Sequence, residues 1–355
     1  MIFLTAQPDE LYFIWQLQIQ INNFKSLGIR KEEIHVLIGY QNKFGISKEF
    51  ETFIEENNSL AQFYIYPDLR IGNKYISSIR PNIIKQHFKL YEYLEDEVLF
   101  YIDSDVILSR IPQINLVASD LTCYVSDTRN YMDLSYIRQF CTNDDLLDNM
   151  LEVVGLEKSI LEKSDKNTGG AQYILKNLSY NFWDKVEKDC EGLFHVMNTH
   201  NLEVWQREYP IKKSLQSTQQ DNGIQAWCAD MWSLLWNLLL ENKDVQIHRE
   251  LDFSWTDSPL SEWKEKSILH YSGEIKDGEN YFDKTAYRNF MPWYDNKLLK
   301  ISDKSCSIKI VEMIREYRLT LDSRRNSYSN TCIILYIEKE DLDKVEKAYE
   351  CMSSN

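Results

Sequence analysis

The sequence predicts an α/β protein built on a mainly parallel sheet with helices on both faces. Three observations carry this expectation. Short apolar runs alternate with stretches of helical periodicity from the first residues onward. Gly28 and Gly39 fall where one element gives way to the next. The apolar run Val98-Leu99-Phe100-Tyr101-Ile102 ends abruptly in Asp103-Ser104-Asp105, and apolar sequence resumes at Val106-Ile107-Leu108. That run is long enough for a buried strand and too short for a helix.

The elements follow in order. Ile2 to Ala6 reads as a strand. Asp9 is expected to cap the next helix, where Leu11, Ile14, Trp15, Leu17, Ile21 and Phe24 recur at near-helical spacing until Gly28. Ile34 to Ile38 is a second strand, Ser47 to Glu56 a helix, Gln62 to Tyr66 a third strand, and a longer helix runs from Pro81 to Leu94. The strand that ends in the acidic turn completes a β-α-β-α-β-α-β order, which implies parallel pairing. Ligands in such sheets sit at the carboxyl ends of strands, where the acidic turn falls. Further on, Leu121 to Val125 reads as a strand, Asp144 to Gly155 as a surface helix, Gln172 to Leu175 as a short strand, and Ile224 to Leu240 as an amphipathic helix. Beyond Leu298 the character changes, with a helix near Ile308 to Tyr317, a strand at Cys332 to Ile337 and a closing helix. Residues 1–297 are therefore expected to form one domain, and residues 298–355 a small α/β appendage.

Composition narrows the function. The 355 residues are 43% hydrophobic and 13% aromatic, ample for a packed core. A formal net charge of −15 repels phosphate backbones, which argues against a nucleic-acid partner. The seven cysteines are odd in number and form no Cys-x-x-Cys pair, arguing against a disulfide framework or a structural zinc site. Asp9 and Glu10 come too early for a signal peptide, and the apolar stretch from Trp232 to Leu240 is too short to span a bilayer. The expectation is a cytoplasmic protein without an integral membrane segment.

Two carboxylates at the end of a buried strand are costly without a counter-charge. A divalent cation is the usual counter-charge, since hard cations take oxygen ligands; the bland alternative is a strand-end turn in which Asp105 caps nearby amides. His270, in Leu269-His270-Tyr271-Ser272-Gly273-Glu274-Ile275-Lys276, offers an imidazole to complete an oxygen-rich shell. Gly273 would let the backbone approach a phosphate, and Lys276 would set a cation against it. Asp230 shares a helix face with Trp227, Met231, Leu234 and Leu238, so a carboxylate stands in an apolar stripe. It reads as a general base, a sugar-hydroxyl ligand, or one half of a buried ion pair. Gly169-Gly170 permit close approach of a sugar or a neighbouring backbone, or make a tight turn. The aromatic residues Trp205, Phe253, Trp255, Trp263 and Trp293 offer faces on which a sugar acceptor would stack, although such residues are more often core.

His270-x-x-Gly273-x-x-Lys276 after the Asp103-x-Asp105 strand resembles the metal and diphosphate signature of GT-A glycosyltransferases, including the glycogenin-like group. A second resemblance, to hydroxyproline O-arabinosyltransferases and peptidyl-serine galactosyltransferases, rests on several short stretches in order. These are Trp15-Gln16, Arg80-Pro81, Ile102-Asp103-Ser104-Asp105, Gly169-Gly170-Ala171-Gln172-Tyr173-Ile174-Leu175, Trp227-Cys228-Ala229-Asp230-Met231, His270-Tyr271 and Tyr281-Phe282-Asp283-Lys284. Those families usually carry Glu where Asp230 stands, and many have a membrane anchor. The resemblance implies a GT-A, Rossmann-like fold and a sugar transferred from a nucleoside-diphosphate sugar, UDP by default, to a hydroxyl on a glycan or glycoprotein. It implies Mn2+ or Mg2+ held by Asp103, Asp105 and His270. Arg80 and Lys276 would face the diphosphate, Ser104 the ribose, Thr5 and Gln7 the nucleotide, Gly170 the donor, and Asp230 would be the base of an inverting reaction. Two other readings compete: a haloacid-dehalogenase-like phosphatase, whose Asp-x-Asp normally opens the domain, and a non-catalytic nucleotide-sugar-binding module.

Overall fold

The structure, a computed structural model, describes residues 1–72, 75–115, 121–141, 143–212, 223–273, 275 and 277–327. The chain divides into two units, Met1–Ile314 and Arg315–Asn355. Both sheets lie in the first. Of the second, the described part is helical, belonging to helix Ser307–Ser327. The strand expected at Cys332 to Ile337 and the closing helix lie outside the described residues.

The first half alternates as its apolar periodicity dictates: β1 Ile2–Pro8, α1 Leu11–Ser26, β2 Ile34–Tyr40, α2 Lys48–Asn57, β3 Gln62–Pro67, α3 Ile79–Leu90 and β4 Leu99–Tyr101. Strand β1 pairs in parallel with β2 and β4, and β2 pairs in parallel with β3. Strand β5, Val106–Leu108, leaves this sheet, which β6 Thr122–Asp127, β7 Gly169–Leu175 and β8 Asp244–Ile247 complete in the order β3-β2-β1-β4-β7-β6-β8. Strand β7 runs antiparallel to both neighbours, and β6 pairs in parallel with β8. The result is a mixed α/β, mostly parallel sheet flanked by helices, consistent with the GT-A, Rossmann-like class.

Side-chain alternation along β1 assigns the layers. Ile2, Leu4 and Ala6 enter one core cluster with Ile83, Ile84 and Phe88 of α3. That cluster also takes α4, Tyr180–Lys212, and α5, Ala229–Leu240. Phe3 enters the opposite cluster with Leu17 and Ile21 of α1 and Phe50 of α2. A second, three-stranded sheet has the order β5-β10-β9, with β9 at Phe253–Ser254 and β10 at Ile268–His270.

Several local expectations change. Asp9 does not cap α1, whose N-cap position is Glu10 with no side-chain cap. Its carboxylate instead accepts from Ser47 N at 2.6 Å and from the Ser47 hydroxyl, anchoring the start of α2. Helix α3 starts at Ile79, ahead of Pro81, because a proline in the first turn loses no intrahelical bond; it ends at Leu90, and a short 3-10 turn covers Glu92–Asp96. The helix expected at the surface, Asp145–Val154, buries Leu146, Leu147, Met150, Leu151 and Val154. Helix α5 begins only after a 3-10 turn at Ala226–Cys228, and from Trp232 to Leu239 every side chain is buried, so it is a core helix rather than an amphipathic one.

Candidate functional site

The acidic turn is the corner between the two sheets, since β4 belongs to one and β5 to the other. A buried polar stripe on α1 holds it. Gln20 Nε2 donates to Asp103 O at 2.6 Å and to Val106 O at 3.2 Å. Asn23 donates to Leu108 O at 2.9 Å and accepts from Leu108 N at 2.8 Å. The Ser104 hydroxyl donates to Gln16 Oε1 at 3.0 Å. Residues 16, 20 and 23 share one helix face, and their polarity satisfies backbone and hydroxyl groups that would otherwise be buried without partners.

Strand pairing then delivers the histidine. Strand β10 is antiparallel to β5, with His270 opposite Val106. Tyr271 N donates to Asp105 O at 3.0 Å, and His270 Nε2 stands 3.3 Å from Asp105 Oδ1. Ligand atoms of Asp103, Asp105 and His270 all lie within 4.8 Å of one another, so the three residues read from sequence as metal ligands do converge.

Cations already face these carboxylates. Lys284 Nζ donates to Asp105 Oδ2. Arg80 donates through Nη1 to Asp103 and through Nη2 to Asp230 Oδ2 at 2.6 Å. The Tyr75 hydroxyl lies 2.6 Å from Asp230 Oδ1 and 2.6 Å from Trp227 O. Burial alone would raise the Asp105 carboxyl, but Lys284 and His270 outweigh it and hold it well below the usual carboxylate range. At Asp230 burial prevails over Arg80 and Tyr75, and its pKa is raised. Lys284 is desolvated too, yet Asp105 keeps its pKa above the ordinary lysine value.

The donor set fits a divalent cation: two carboxylates and one imidazole, hard oxygen donors with a borderline nitrogen. The outer contacts fit as well. His270 Nδ1 is 3.0 Å from Gln172 Nε2, and Gln172 Oε1 accepts from the Ser126 hydroxyl at 2.6 Å. With the Gln172 amide turned over, Oε1 accepts from Nδ1–H and Nε2 donates to the Ser126 oxygen. That arrangement leaves the His270 Nε2 lone pair directed at the cluster.

Arg80, Asp103, Asp105, Asp230, His270 and Lys284 line a cleft of about 650 Å³, together with Gln7, Ser104, Gly273 and Ala171. Thr5 is buried away from the lining, its hydroxyl without a hydrogen-bond partner among the described residues. Gly170 is also behind the lining. A Cβ there would come within 2.7 Å of Met231 Cε and Tyr173 Oη, and one on Gly169 within 2.2 Å of Ser126 O. Gly169 thus lies against the β6 backbone, and Gly170 against side chains of α5 and of β7 itself. Lys276 lies outside the described residues. Gln172 and Lys284 stand in the stretches that carry the resemblance but receive no role from the sequence, and Tyr75 is not marked by it; nothing in the spacing around Lys284 makes it a partner of Asp105.

No protein-family model matches the sequence, and neither does any curated protein. Among solved structures, the chain is similar to the apo structure of the WbbM bifunctional glycosyltransferase, with a TM-score of 0.43 and 9% identity over 88% of this chain and 51% of that one. It is also similar to the PaToxG glycosyltransferase, with a TM-score of 0.21 and 12% identity over 67% of this chain and 84% of that one. The chain therefore spans about half the length of the first of these. Overlaps of this size assign neither activity nor substrate to the chain.

Proposed function

We propose that the chain is a metal-dependent glycosyltransferase that moves a sugar from a nucleoside-diphosphate donor, by default UDP-linked, to an acceptor hydroxyl on a glycan or glycoprotein. The observation that carries this reading is the convergence of Asp103, Asp105 and His270 at the floor of an open cleft. Bound there, Mn2+ or Mg2+ would neutralise charge growing on the departing diphosphate. Lys284 and Arg80 add two fixed cations at the same point, and Lys276, three residues after Gly273 in the sequence, is the further candidate for the diphosphate. Ser104 spends its proton on Gln16, so toward a ribose it is an acceptor. Gln7, at the end of β1, reaches the nucleotide, while Thr5 and Gly170 shape the wall behind it.

Asp230 is the candidate base of an inverting displacement. Its raised proton affinity suits it to take the acceptor proton, and Arg80 and Tyr75 fix its orientation. The test is a panel of UDP- and GDP-sugars assayed for hydrolysis with Mn2+ and with chelator, using wild type and Asp105→Ala. We expect metal-dependent hydrolysis of at least one donor, abolished in a variant whose circular dichroism is unchanged. Hydrolysis indifferent to both chelator and substitution would refute the reading.

A further inference from the structure

A second cleft, of about 580 Å³, opens beside the first and shares Asn130, Tyr131 and Trp255 with it. From this continuity we infer that it is the acceptor subsite and that its occupant is an uncharged saccharide. The inference rests on the proposed donor chemistry and adds the class of acceptor.

Three features identify the occupant. Trp255 is 39% exposed and lies nearly parallel to the His270 ring, 14° between planes and 6.0 Å between centroids. A flat indole shared by both clefts offers the apolar surface against which the C–H face of a sugar packs, with the other end of that sugar directed at the metal cluster. The rest of the wall is polar. Asp127 and Arg129 form a two-point pair, Nη2 to Oδ2 at 2.6 Å and Nε to Oδ1 at 3.0 Å. Asp252 and Lys266 stand across the same space. Fixed carboxylate and guanidinium forks bond vicinal hydroxyls well. Counting Asp133, three carboxylates face two cations, a balance that disfavours phosphorylated or sulfated acceptors. The volume falls within the roughly 300–1,000 Å³ of small-ligand sites.

Saturation-transfer NMR tests this, with methyl glycosides of neutral hexoses and N-acetylhexosamines as probes. Short serine-, threonine- and tyrosine-containing peptides form a parallel arm, each with and without UDP and Mn2+. Wild type, Trp255→Ala and Asp252→Asn are compared after circular dichroism shows each folded, and UDP–Mn2+ binding to wild type is measured separately by calorimetry. We expect saturation on one face of a saccharide, and binding weakened roughly tenfold or more in both variants. No saccharide signal under any condition, an equal signal in the variants, or a response to peptides alone would overturn the inference. Saccharide binding lost in the variants while UDP–Mn2+ fails to bind would uphold a saccharide site but overturn its role as an acceptor subsite together with the donor reading; UDP–Mn2+ binding without saccharide binding would overturn the subsite and leave the donor reading standing.

Discussion

The guanidinium of Arg80 lies 2.6 Å from the Asp230 carboxylate while its other nitrogen engages Asp103. One side chain on α3 thus ties the acidic turn to α5. Removing it leaves two carboxylates short of their cation in a largely desolvated place. Arg80→Met is expected to cost about 3–5 kcal/mol of stability. In that background Asp230→Asn should cost less than it does in wild type, with a coupling of about 1 kcal/mol or more. Urea unfolding of the four proteins of the cycle measures it, and strictly additive costs would mean the contact is energetically inert.

A metal ion bound at Asp105 would have to share that carboxylate with Lys284. The lysine occupies Oδ2, and a second positive group on the same carboxylate would be repelled by it. Lys284→Met is therefore expected to bind Mn2+ about tenfold more tightly. It should also show a larger Mn2+-induced rise in melting temperature, because its apo form has an unpaired buried charge. Weaker Mn2+ binding in this variant would mean that the lysine supports the cation rather than excluding it.

A pH dependence arises away from the cleft. His35 and His87 are buried, with Nδ1 of the first 3.0 Å from Nε2 of the second, and His87 Nδ1 is 2.7 Å from the Tyr66 hydroxyl. Burial lowers the His35 pKa to about 4. Burial, and then the neighbouring His35, lower that of His87 to about 3. Both pKa values are depressed from an unfolded value near 6.5, so the unfolded chain binds more protons between those limits. The stability they contribute is complete above about pH 6.5 and is lost as the pH falls toward 4, by up to about 1.4 kcal/mol per unit for each ring. Urea midpoints from pH 7.5 to 4.5 should fall less steeply in His87→Gln than in wild type. Parallel slopes would show that the pair titrates normally.

The glycine pair packs against two different neighbours. Ser126 pairs with Gly170 and Asp127 with Gly169 across a register shift in β6. A methyl on Gly169 meets backbone, which cannot yield, whereas one on Gly170 meets the tips of two side chains, Met231 and Tyr173. Gly169→Ala is expected to destabilise by about 1–3 kcal/mol or more, and Gly170→Ala by less. Chemical denaturation ranks them; the opposite order would mean that β6 gives way more easily than α5.

Much of this was legible in the sequence because strand and helix periods are local. The run from Val98 to Ile102, interrupted at Asp103, announces a strand end, and the parallel β1–β4 region follows from alternation alone. The metal set was legible because Asp103 and Asp105 share a turn and His270 stands in a short motif. What stayed hidden depends on long-range pairing. Nothing local says that β10 lies against β5 with His270 facing Val106, that Arg80 bridges two carboxylates, or that Lys284 reaches Asp105. Helix α4 is a different case. Trp183, Val186, Cys190, Leu193 and Met197 recur at helical spacing and are all buried, but the charged residues between them mask the stripe. Asp9 misled because a carboxylate before a helix is a common cap, and Ser47 from a distant loop competes for it more effectively.

The most direct test is electron paramagnetic resonance of Mn2+ titrated into the protein with and without UDP, in wild type and Asp105→Asn. We expect a protein-bound Mn2+ signal whose affinity rises when UDP is added, and neither binding nor UDP effect in the variant. Mn2+ that binds both proteins alike, or that ignores UDP, would contradict the assignment of Asp103, Asp105 and His270 as the clamp on a nucleoside diphosphate.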